Sequence, residues 1–272
     1  ILPLLGTLRL SIIYPLVIPI IVAIMTNTVN MLEGYNGEGS GTTSIASFFL
    51  IVCAFIARSS IGVLFGIPVF FSILAFYKYN KYPAKVFPGD VGTLTIGASL
   101  AMIGIMGGLE VSMALVMLAH IFNSFYVLAS IHGWVKMKNI KDEVKIPDIW
   151  VDQDNYIHAS DKDEAPLTLP RLLLASGKLK EDKLVKYFMA LSVVSGVFAV
   201  CSELIRQRTL DHVNITQWAS WLIGTICILV YAITVWKYRR IFGITIVMIV
   251  LLVIGLLLFF VIDQFIFPDP LN

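Results

Sequence analysis

Long apolar segments separated by short polar ones dominate the pattern of this chain. Eight segments qualify as membrane-spanning helices, some only just, because a spanning helix needs about 20 mostly apolar residues. They cover residues 8–26, 42–57, 61–77, 92–108, 111–131, 187–204, 217–236 and 241–266. The runs lack the period-2 alternation that a membrane β-barrel requires. The sequence therefore predicts an all-α polytopic membrane protein, with the chain 1–272 as a single integral membrane domain.

The polar segments between these helices predict two local structures. Only Arg58-Ser59-Ser60 separates the second and third segments, which predicts a tight helical hairpin. The segment 132–186 is predicted to be a small irregular subdomain with one or two β-hairpins. Within it, 152–158 alternates weakly, and 169–179 is predicted to be a short strand that ends in a Ser-Gly turn.

Composition supports the membrane class. The 272 residues are 58% hydrophobic and 14% charged, with a mean hydropathy of +0.85, whereas a soluble domain carries about 25% charged residues. The cysteines Cys53, Cys201 and Cys227 lie in apolar runs at unrelated spacings. That spacing excludes a CxxC metal site and argues against a disulfide framework.

The distribution of charge predicts how the chain lies in the membrane. Eight spans place the segments 27–41, 78–91, 132–186 and 237–240 on one side, and these carry sixteen of the twenty lysines and arginines. Because cytoplasmic loops carry an excess of Lys and Arg, this side is predicted to be cytoplasmic. The asparagine- and glycine-rich stretch 26–41, the loop 78–91 and the long loop 132–186 are all predicted to lie on that face.

A stretch rich in asparagine and glycine, 26–41, follows the first apolar segment directly. Asn27 and Asn30 are three residues apart and would share one face of a helix. The glycines at 34, 37, 39 and 41 are predicted to end regular helix and to let backbone approach a ligand. Two interpretations stay open: an interfacial loop with helix caps, or an oxygen-rich site for a hard cation and a polar substrate.

Further polar positions lie at or inside the later spans. Asp90 begins the fourth span, where a carboxylate either caps the helix or binds a metal. Phe87 in the preceding turn either stacks on a planar ligand or belongs to an interfacial aromatic belt. Asn123 lies within the fifth span, where an interhelical hydrogen bond is the simpler interpretation.

Four motifs in this order carry a family resemblance. The first reads Thr26-Asn27-x-x-Asn30-Met31-Leu32-x-Gly34-x-Asn36-Gly37, and the second reads Asn80-x-Tyr82-Pro83-x-Lys85-Val86-Phe87-x-Gly89-Asp90. The third is Ile121-Phe122-Asn123, and the fourth is Pro170-Arg171-Leu172 followed by Ser176-Gly177-Lys178-Leu179. They resemble the signatures of the polyprenyl-phosphate N-acetylhexosamine-1-phosphate transferase superfamily. The likeness is strongest to the UDP-N-acetylglucosamine–dolichyl-phosphate N-acetylglucosamine-1-phosphate transferases, of archaeal type.

This resemblance implies a magnesium-dependent phosphosugar transferase. Asn30 and Asp90 would be the catalytic pair that holds Mg²⁺, with Mn²⁺ as an alternative metal, and Asn27 would support them. Asn36 would bind the uracil, and Phe87 would stack on it. Phosphoryl transfer needs charge neutralisation and alignment more than covalent chemistry, and an amide with a carboxylate suits this metal.

The implied partners are UDP-N-acetylglucosamine, a polyprenyl or dolichyl phosphate and the surrounding membrane lipid. The lipid phosphate would attack the β-phosphorus and release UMP, which is the first step of lipid-linked glycan assembly. A homodimer is a further expectation, and no nucleic acid partner is expected. Asn123 is included among the predicted substrate-binding residues.

Two departures from the family pattern accompany the resemblance. The family's aspartate pair, upstream of the first motif, does not occur here. We therefore expect a missing N-terminal part and no activity of this chain alone. The arginines that grip the diphosphate in eukaryotic members are replaced by the segment 166–168, so His158, Lys162 or Arg171 would have to substitute.

Two other functional hypotheses stay open at this point. A secondary transporter would use Asn27, Asn30 and Asp90 to coordinate a coupled ion near the membrane midplane. An inactive remnant would lack the upstream aspartate pair. Depth in the membrane separates the first of these from the transferase hypothesis, because the polar motifs lie at the ends of spans.

Overall fold

The computed structural model describes residues 14–130, 147–162 and 165–211, which are mostly helical with one small sheet. Five of the described helices are long and apolar enough to cross a membrane. They are α1 (Tyr14–Leu32), α2 (Glu38–Ile56), α3 (Ser60–Asn80), α4 (Gly89–Met106) and α8 (Glu181–Asp211), the last over Glu181–Gln207. This is the architecture of a polytopic α-helical membrane protein, as predicted.

The number of spans stays a prediction. The segments 217–236 and 241–266 lie outside the described residues, as does the N-terminal part of the basic loop, 132–146. The chain divides into two compact units, Leu10–Leu204 and a second unit of Ile1–Arg9 with Ile205–Asn272. The predicted site residues all lie in the first unit.

The polar stretch after the first apolar segment is more helical than predicted. Helix α1 continues to Leu32, and α2 begins at Glu38, so the prediction that Gly39 and Gly41 end regular helix is wrong. Only Gly37, with φ of 77°, takes the left-handed conformation of the turn. Gly39 has a different role, because a Cβ there would lie 1.9 Å from an oxygen of Glu33. Because Gly39 has no side chain, the Glu33 carboxylate can approach the first turn of α2.

The helical hairpin of α2 and α3 is confirmed. Its turn places Arg58 in the left-handed region, with φ of 53°. The Ser59 side chain accepts a hydrogen bond of 3.1 Å from the backbone N–H of Gly62 and so caps α3. The same hydroxyl donates to the carbonyl of Gly107 at 2.8 Å, which joins the hairpin to the end of α4.

Helices α1 and α4 lie in direct backbone contact. A Cβ on Gly97 would lie 2.6 Å from Cα of Thr26 and 2.7 Å from the carbonyl oxygen of Met25. Only glycine permits this approach. Around it, buried apolar side chains of α1, α2, α4 and the short helix α5 (Glu110–Val116) form the main core, among them Met25, Val29, Leu50, Leu100 and Met113.

The fifth predicted span is not one straight helix. It consists of α5 (Glu110–Val116) and α6 (Leu118–Ser130), which meet at an angle of 69°. The predicted span over 111–131 is therefore a bent pair of helices, and a crossing of the membrane at this point stays a prediction. Neither Pro nor Gly occurs in that segment to signal a bend. Val116 and Met117 are fully buried at the bend, so the break packs into the main core.

The described part of the predicted loop subdomain contains a three-stranded antiparallel sheet. Its strands are β1 (Ile149–Val151), β2 (Tyr156–Ala159) and β3 (Leu179–Lys180), in the order β1-β2-β3. Strands β1 and β2 form the predicted hairpin, with Trp150 opposite His158. The carboxylate of Asp152 shapes its turn by accepting from the N–H groups of Asp154 and Tyr156 at 3.0 and 2.8 Å.

The prediction of a strand over 169–179 is wrong. Helix α7 (Leu169–Leu173) and a 3₁₀ turn (Leu174–Ser176) occupy most of it. Thr168 caps α7 by accepting from the N–H of Arg171 at 3.3 Å, and the proline is in the first turn, where it suits a helix. Gly177, with φ of 145°, then leads into β3. Helix α8 begins at Glu181, six residues before the predicted span at 187.

A second cluster of buried apolar residues joins the sheet to the ends of the helices. It contains Leu32, Ala119, Ile157, Leu169, Leu184 and Phe188. Tyr35, in the turn between α1 and α2, stacks on Phe188 with ring centroids 6.1 Å apart. The subdomain is thereby packed against the end of the bundle where α1 ends and α2 begins.

Candidate active site

The ends of α1 and α4 bring two predicted site residues together. The side-chain amide of Asn30 donates a hydrogen bond of 2.9 Å to Oδ1 of Asp90 and another of 2.9 Å to the hydroxyl of Thr93. Thr93 is buried and donates in turn to the carbonyls of Gly89 and Asp90 at 3.1 and 3.2 Å. Asp90 itself is exposed in the first turn of α4. This network fixes the amide and the carboxylate side by side.

The oxygens that remain at this pair suit a hard cation. No described hydrogen bond uses Oδ1 of Asn30 or Oδ2 of Asp90. Mg²⁺ takes oxygen ligands and is commonly bound through one or two protein groups together with substrate phosphates and water. Within the described ranges there is no cluster of three or more His, Cys, Asp or Glu that could hold a metal. A carboxylate oxygen and an amide oxygen that lie side by side fit a metal that is shared with an anionic substrate.

Asn27 lies one turn before Asn30 on the exposed side of α1. Its amide donates to the carbonyl of Ala23 at 2.7 Å, in its own helix. The structure therefore places Asn27 near the pair along the helix but gives it a local hydrogen bond. Its supporting role stays a prediction.

The loop between α3 and α4 carries Phe87 and is braced by a buried asparagine. Asn80 is fully buried, accepts from the hydroxyl of Ser40 at 2.6 Å and donates to the carbonyl of Val86 at 2.9 Å. The ring of Phe87, next in the chain, is 55% exposed. An exposed aromatic ring on a braced loop is available to a planar ligand. The bracing role of Asn80 did not emerge from the sequence.

Asn36 lies in the turn between α1 and α2 and contacts two distant parts of the chain. Its side-chain oxygen accepts from the backbone N–H of Ala84 at 2.7 Å, in the Phe87 loop. Its side-chain nitrogen donates to Oε1 of Glu181, which also accepts from the backbone N–H of Asn36 at 2.7 Å. Glu181 was not predicted as a site residue, because it opens α8 far along the sequence.

Two further carboxylates, absent from the prediction, lie in the same turn. Glu38 is fully buried, and its Oε2 accepts from the N–H groups of Gly34 and Tyr35 at 3.0 and 3.2 Å. Glu33 accepts from the N–H of Gly39 at 2.6 Å. Each retains one buried oxygen without a hydrogen bond. Burial raises the pKa of Glu33 to about 7, and the bond from Gly39 opposes this only in part.

Asn123 is nearly fully buried and bridges two elements. Its nitrogen donates to the carbonyl of Met31 at 3.1 Å, and its oxygen accepts from the N–H of Leu169 at 3.0 Å. The bond to Met31 agrees with the simpler interpretation of the sequence, in which Asn123 forms a hydrogen bond between helices. The bridge holds the start of α7 against the end of α1, and a substrate contact of Asn123 stays a prediction.

Arg171 holds a backbone segment. Its guanidinium donates five hydrogen bonds, all to backbone carbonyls, and these belong to Ser160, Lys162, Ala165 and Pro166. A guanidinium has five N–H groups, so this arrangement leaves none for a diphosphate. Arg171 organises the segment before α7, and a diphosphate contact would need these bonds to change.

His158 belongs to the outer face of the sheet. Its Nε2–H donates to the carboxylate of Asp152 at 2.8 Å, and its ring stacks on Trp150 at 4.1 Å. The hydrogen bonds from His158 and from the N–H of Tyr156 hold the pKa of Asp152 well below its usual range. The described contacts of His158 are within the sheet and do not join it to Asn30 or Asp90.

Comparison with known proteins connects this geometry to a family. Residues 2–108 match the model of glycosyl transferase family 4. The chain is 30% identical, over 76% of its length and 60% of the relative, to a Saccharolobus solfataricus protein provisionally named UDP-N-acetylglucosamine–dolichyl-phosphate N-acetylglucosaminephosphotransferase. It is 31% identical, over 70% of its length and 60% of the relative, to a provisionally named glycosyltransferase of Methanocaldococcus jannaschii.

A bacterial relative is more distant. The phospho-N-acetylmuramoyl-pentapeptide-transferase of Prochlorococcus marinus is 28% identical over 46% of this chain and 42% of that protein. The chain thus spans about 60% of the length of the archaeal relatives that it matches. The family resemblance carried by the sequence motifs is confirmed.

Proposed function

Since residues 2–108 match the model of glycosyl transferase family 4, we propose that this protein transfers an N-acetylhexosamine 1-phosphate from a UDP-sugar to a polyprenyl phosphate. UDP-N-acetylglucosamine and a dolichyl-type phosphate are the substrates proposed from the names of two archaeal relatives. The observation that carries the proposal is the hydrogen-bonded pair of Asn30 and Asp90 at one end of the bundle.

In the proposed reaction, an oxygen of the lipid phosphate attacks the β-phosphorus of the UDP-sugar. One P–O bond forms there, and the bond from that phosphorus to the bridging oxygen breaks, so UMP leaves. Asn30 and Asp90 would hold Mg²⁺, or alternatively Mn²⁺, which would neutralise the charge that develops on the phosphoryl oxygens. Asn30 and Thr93 keep the Asp90 carboxylate in place through their hydrogen bonds.

The rest of the described site would bind the nucleotide. Phe87 offers an exposed ring on which a base could stack, and Asn36 offers an amide that is tied to the same loop. The second core cluster packs the sheet against this end of the bundle. We propose that these elements together align the diphosphate with the metal pair, because alignment accounts for much of the catalysis of phosphoryl transfer.

The proposed site faces the cytoplasm, since most of the chain's Lys and Arg fall in loops on this side. A cytoplasmic site at the ends of spanning helices would receive a water-soluble nucleotide sugar from one direction. The lipid phosphate would reach the same site from the surrounding membrane. The product would be the first intermediate of lipid-linked glycan assembly.

Ion-coupled transport is the weaker candidate. Transporters bind ions near the midplane on broken helices, whose unwound backbone lines a cavity. Asn30 is in the last turn of α1 and Asp90 in the first turn of α4, so this pair lies at helix ends. The break between α5 and α6 is filled by buried apolar side chains. These positions favour the transferase.

The transfer assay tests the proposal. Membranes that contain the full-length protein would be given labelled UDP-N-acetylglucosamine, a polyprenyl phosphate and Mg²⁺. We expect equal amounts of UMP and lipid-linked sugar, and we expect a metal chelator to abolish both. Absence of transfer with every UDP-N-acetylhexosamine tried would contradict the proposal, and an inactive remnant would then describe this chain better.

A further inference from the structure

We propose that Glu181 is a positioning residue that fixes the orientation of the Asn36 side-chain amide, so that the site accepts uracil and rejects cytosine. This inference rests on the proposed function, in which Asn36 reads the nucleotide base. It adds a residue from the start of α8, a sequence distance of 145 from Asn36.

The Asn36 amide is held from both ends. On one side, Oε1 of Glu181 accepts from the side-chain nitrogen of Asn36 and, at 2.7 Å, from its backbone N–H. On the other side, the backbone N–H of Ala84 donates to the side-chain oxygen at 2.7 Å. A carboxylate can only accept and a backbone N–H can only donate. The two neighbours are therefore complementary to one amide orientation and opposed to the other.

Turning the amide by 180° would replace two hydrogen bonds with two repulsive contacts. The amide oxygen would face the carboxylate of Glu181, and the NH₂ group would face the N–H of Ala84. Leaving such half-buried groups unpaired disfavours that orientation strongly. The remaining N–H and the remaining oxygen lone pair of Asn36 are consequently presented in one fixed order.

That order is what separates uracil from cytosine. Uracil presents a carbonyl acceptor at position 4 beside an N–H donor at position 3. Cytosine presents an amino donor at position 4 beside an unprotonated acceptor at position 3, so its pattern is reversed. An amide that can turn would match either base, whereas an amide that is held would match only one. A well-formed bidentate contact discriminates against the wrong base by roughly 5- to 150-fold.

The position of Glu181 suits this role. It is the first residue of α8, where the helix N-terminus favours a negative charge. It directly follows β3, so its hydrogen bonds to Asn36 also link the sheet to the turn between α1 and α2. Ala84 belongs to the loop that carries Phe87. The same hydrogen bonds therefore link the Asn36 amide, which is proposed to contact the edge of the base, to the exposed ring of Phe87, which would stack on that base.

Nucleotide discrimination by the full-length protein in lipid nanodiscs tests the inference. The probes are UMP and CMP, measured as competitors of the UDP-sugar. The variants are Glu181→Ala and Glu181→Gln, and the control is Asp182→Ala, which removes the adjacent carboxylate and its 3.4 Å pair with Lys186. Thermal stability and hydrogen exchange of residues 81–88 are followed in parallel.

We expect the wild type and Asp182→Ala to prefer UMP by at least tenfold. Glu181→Ala should raise KM for the UDP-sugar, lower the UMP preference at least fivefold and speed exchange in 81–88, with a smaller change in kcat. Glu181→Gln should give an intermediate preference, because the introduced amide can accept or donate. If Glu181→Ala does not fold, Glu181→Gln is the variant that tests the inference.

An unchanged ratio of UMP to CMP affinity in a folded Glu181 variant would overturn the inference and leave the proposed function standing. Equal loss of preference in Asp182→Ala would also overturn it, because the effect would then come from local charge. A wild-type protein that bound neither nucleotide would overturn the proposed function, and this inference with it.

Discussion

The side-chain amide of Asn30 lies 2.9 Å from the carboxylate of Asp90, although sixty positions of sequence separate the two residues. Two helix ends must meet for this contact to form. Backbone contact between α1 and α4 at Gly97 brings the ends together, and Thr93 locks the amide in place. The geometry of the proposed metal pair is therefore a direct consequence of how closely these two helices pack.

Changing Asp90→Asn or Asn30→Ala should reduce transfer by at least about 100-fold. Asp90→Asn removes the negative charge and Asn30→Ala the amide oxygen that are proposed to hold the metal, and electrostatic stabilisation is typically worth that much. Initial rates at saturating UDP-sugar across a Mg²⁺ titration would show it. Asp154→Asn, at an exposed turn of the sheet, is the matched control and should behave like the wild type. Unchanged rates in both site variants would show that the pair is assigned wrongly.

Substituting Gly97→Ala should separate α1 from α4, because the new methyl group would lie 2.6 Å from Cα of Thr26. Overpacking of this kind costs about 1–3 kcal/mol of stability. Displacement of a reacting group by about 1 Å can cost a further 100-fold in rate. Thermal melting and transfer rates would be compared with those of Ser99→Ala, whose hydroxyl bonds only within α4 at 2.8 Å. Wild-type behaviour of Gly97→Ala would contradict the packing argument.

Truncating Phe87→Ala should leave stability unchanged, because the ring is 55% exposed. The KM for the UDP-sugar should rise by roughly 5- to 150-fold, since stacking of a base on an aromatic ring is worth about 1–3 kcal/mol. Steady-state kinetics would separate this rise from any change in kcat. Tyr79→Ala, which removes another exposed ring near the same end of α3, should leave KM unaltered. An equal rise in both variants would argue against stacking.

The buried carboxyl of Glu33 predicts a pH dependence of stability. Burial raises its pKa from 4.5 to about 7, so the folded protein holds a proton that the unfolded chain releases. Its contribution is complete below pH 4.5, and it is lost as the pH rises through about 7. Glu33→Gln should remove this share of the decline, on the order of 2–3 kcal/mol, and should leave the share of the neighbouring buried carboxyl of Glu38 in place. Melting of both proteins between pH 5 and 8 would measure it.

Asp154→Asn serves as the control for that experiment, because its carboxylate is exposed. It should keep the wild-type pH profile. If the wild type and Glu33→Gln declined in parallel as the pH rose, the buried carboxyl would not be the source of the dependence.

The features predicted correctly from the sequence are those that depend on residues close together in the chain. Apolar runs identified the described spans, Arg58-Ser59-Ser60 identified the hairpin, and the second motif placed Asp90 at the start of a helix. The strand predicted at 169–179 was wrong because the Thr168 cap and Pro170 favour a helix there. Both are local signals that the apolar run obscured.

What the sequence did not predict depends on contacts between distant residues. The bend at Met117 follows from packing in the core and has no Pro or Gly to mark it. Glu181 looked like an ordinary charge before a span, and only the fold brings it to Asn36. Arg171 matched a motif, yet its hydrogen bonds go to the backbone of its own segment.

The central claim is that a sugar phosphate, and not a sugar alone, moves to the lipid. The most direct test gives the protein a UDP-sugar labelled with ³²P only at the β-phosphate, together with a polyprenyl phosphate and Mg²⁺. We predict that the label passes to the lipid fraction while unlabelled UMP is released, and that Asp90→Asn abolishes this transfer. Retention of the label in a released UDP, beside a lipid that carries only the sugar, would contradict the account.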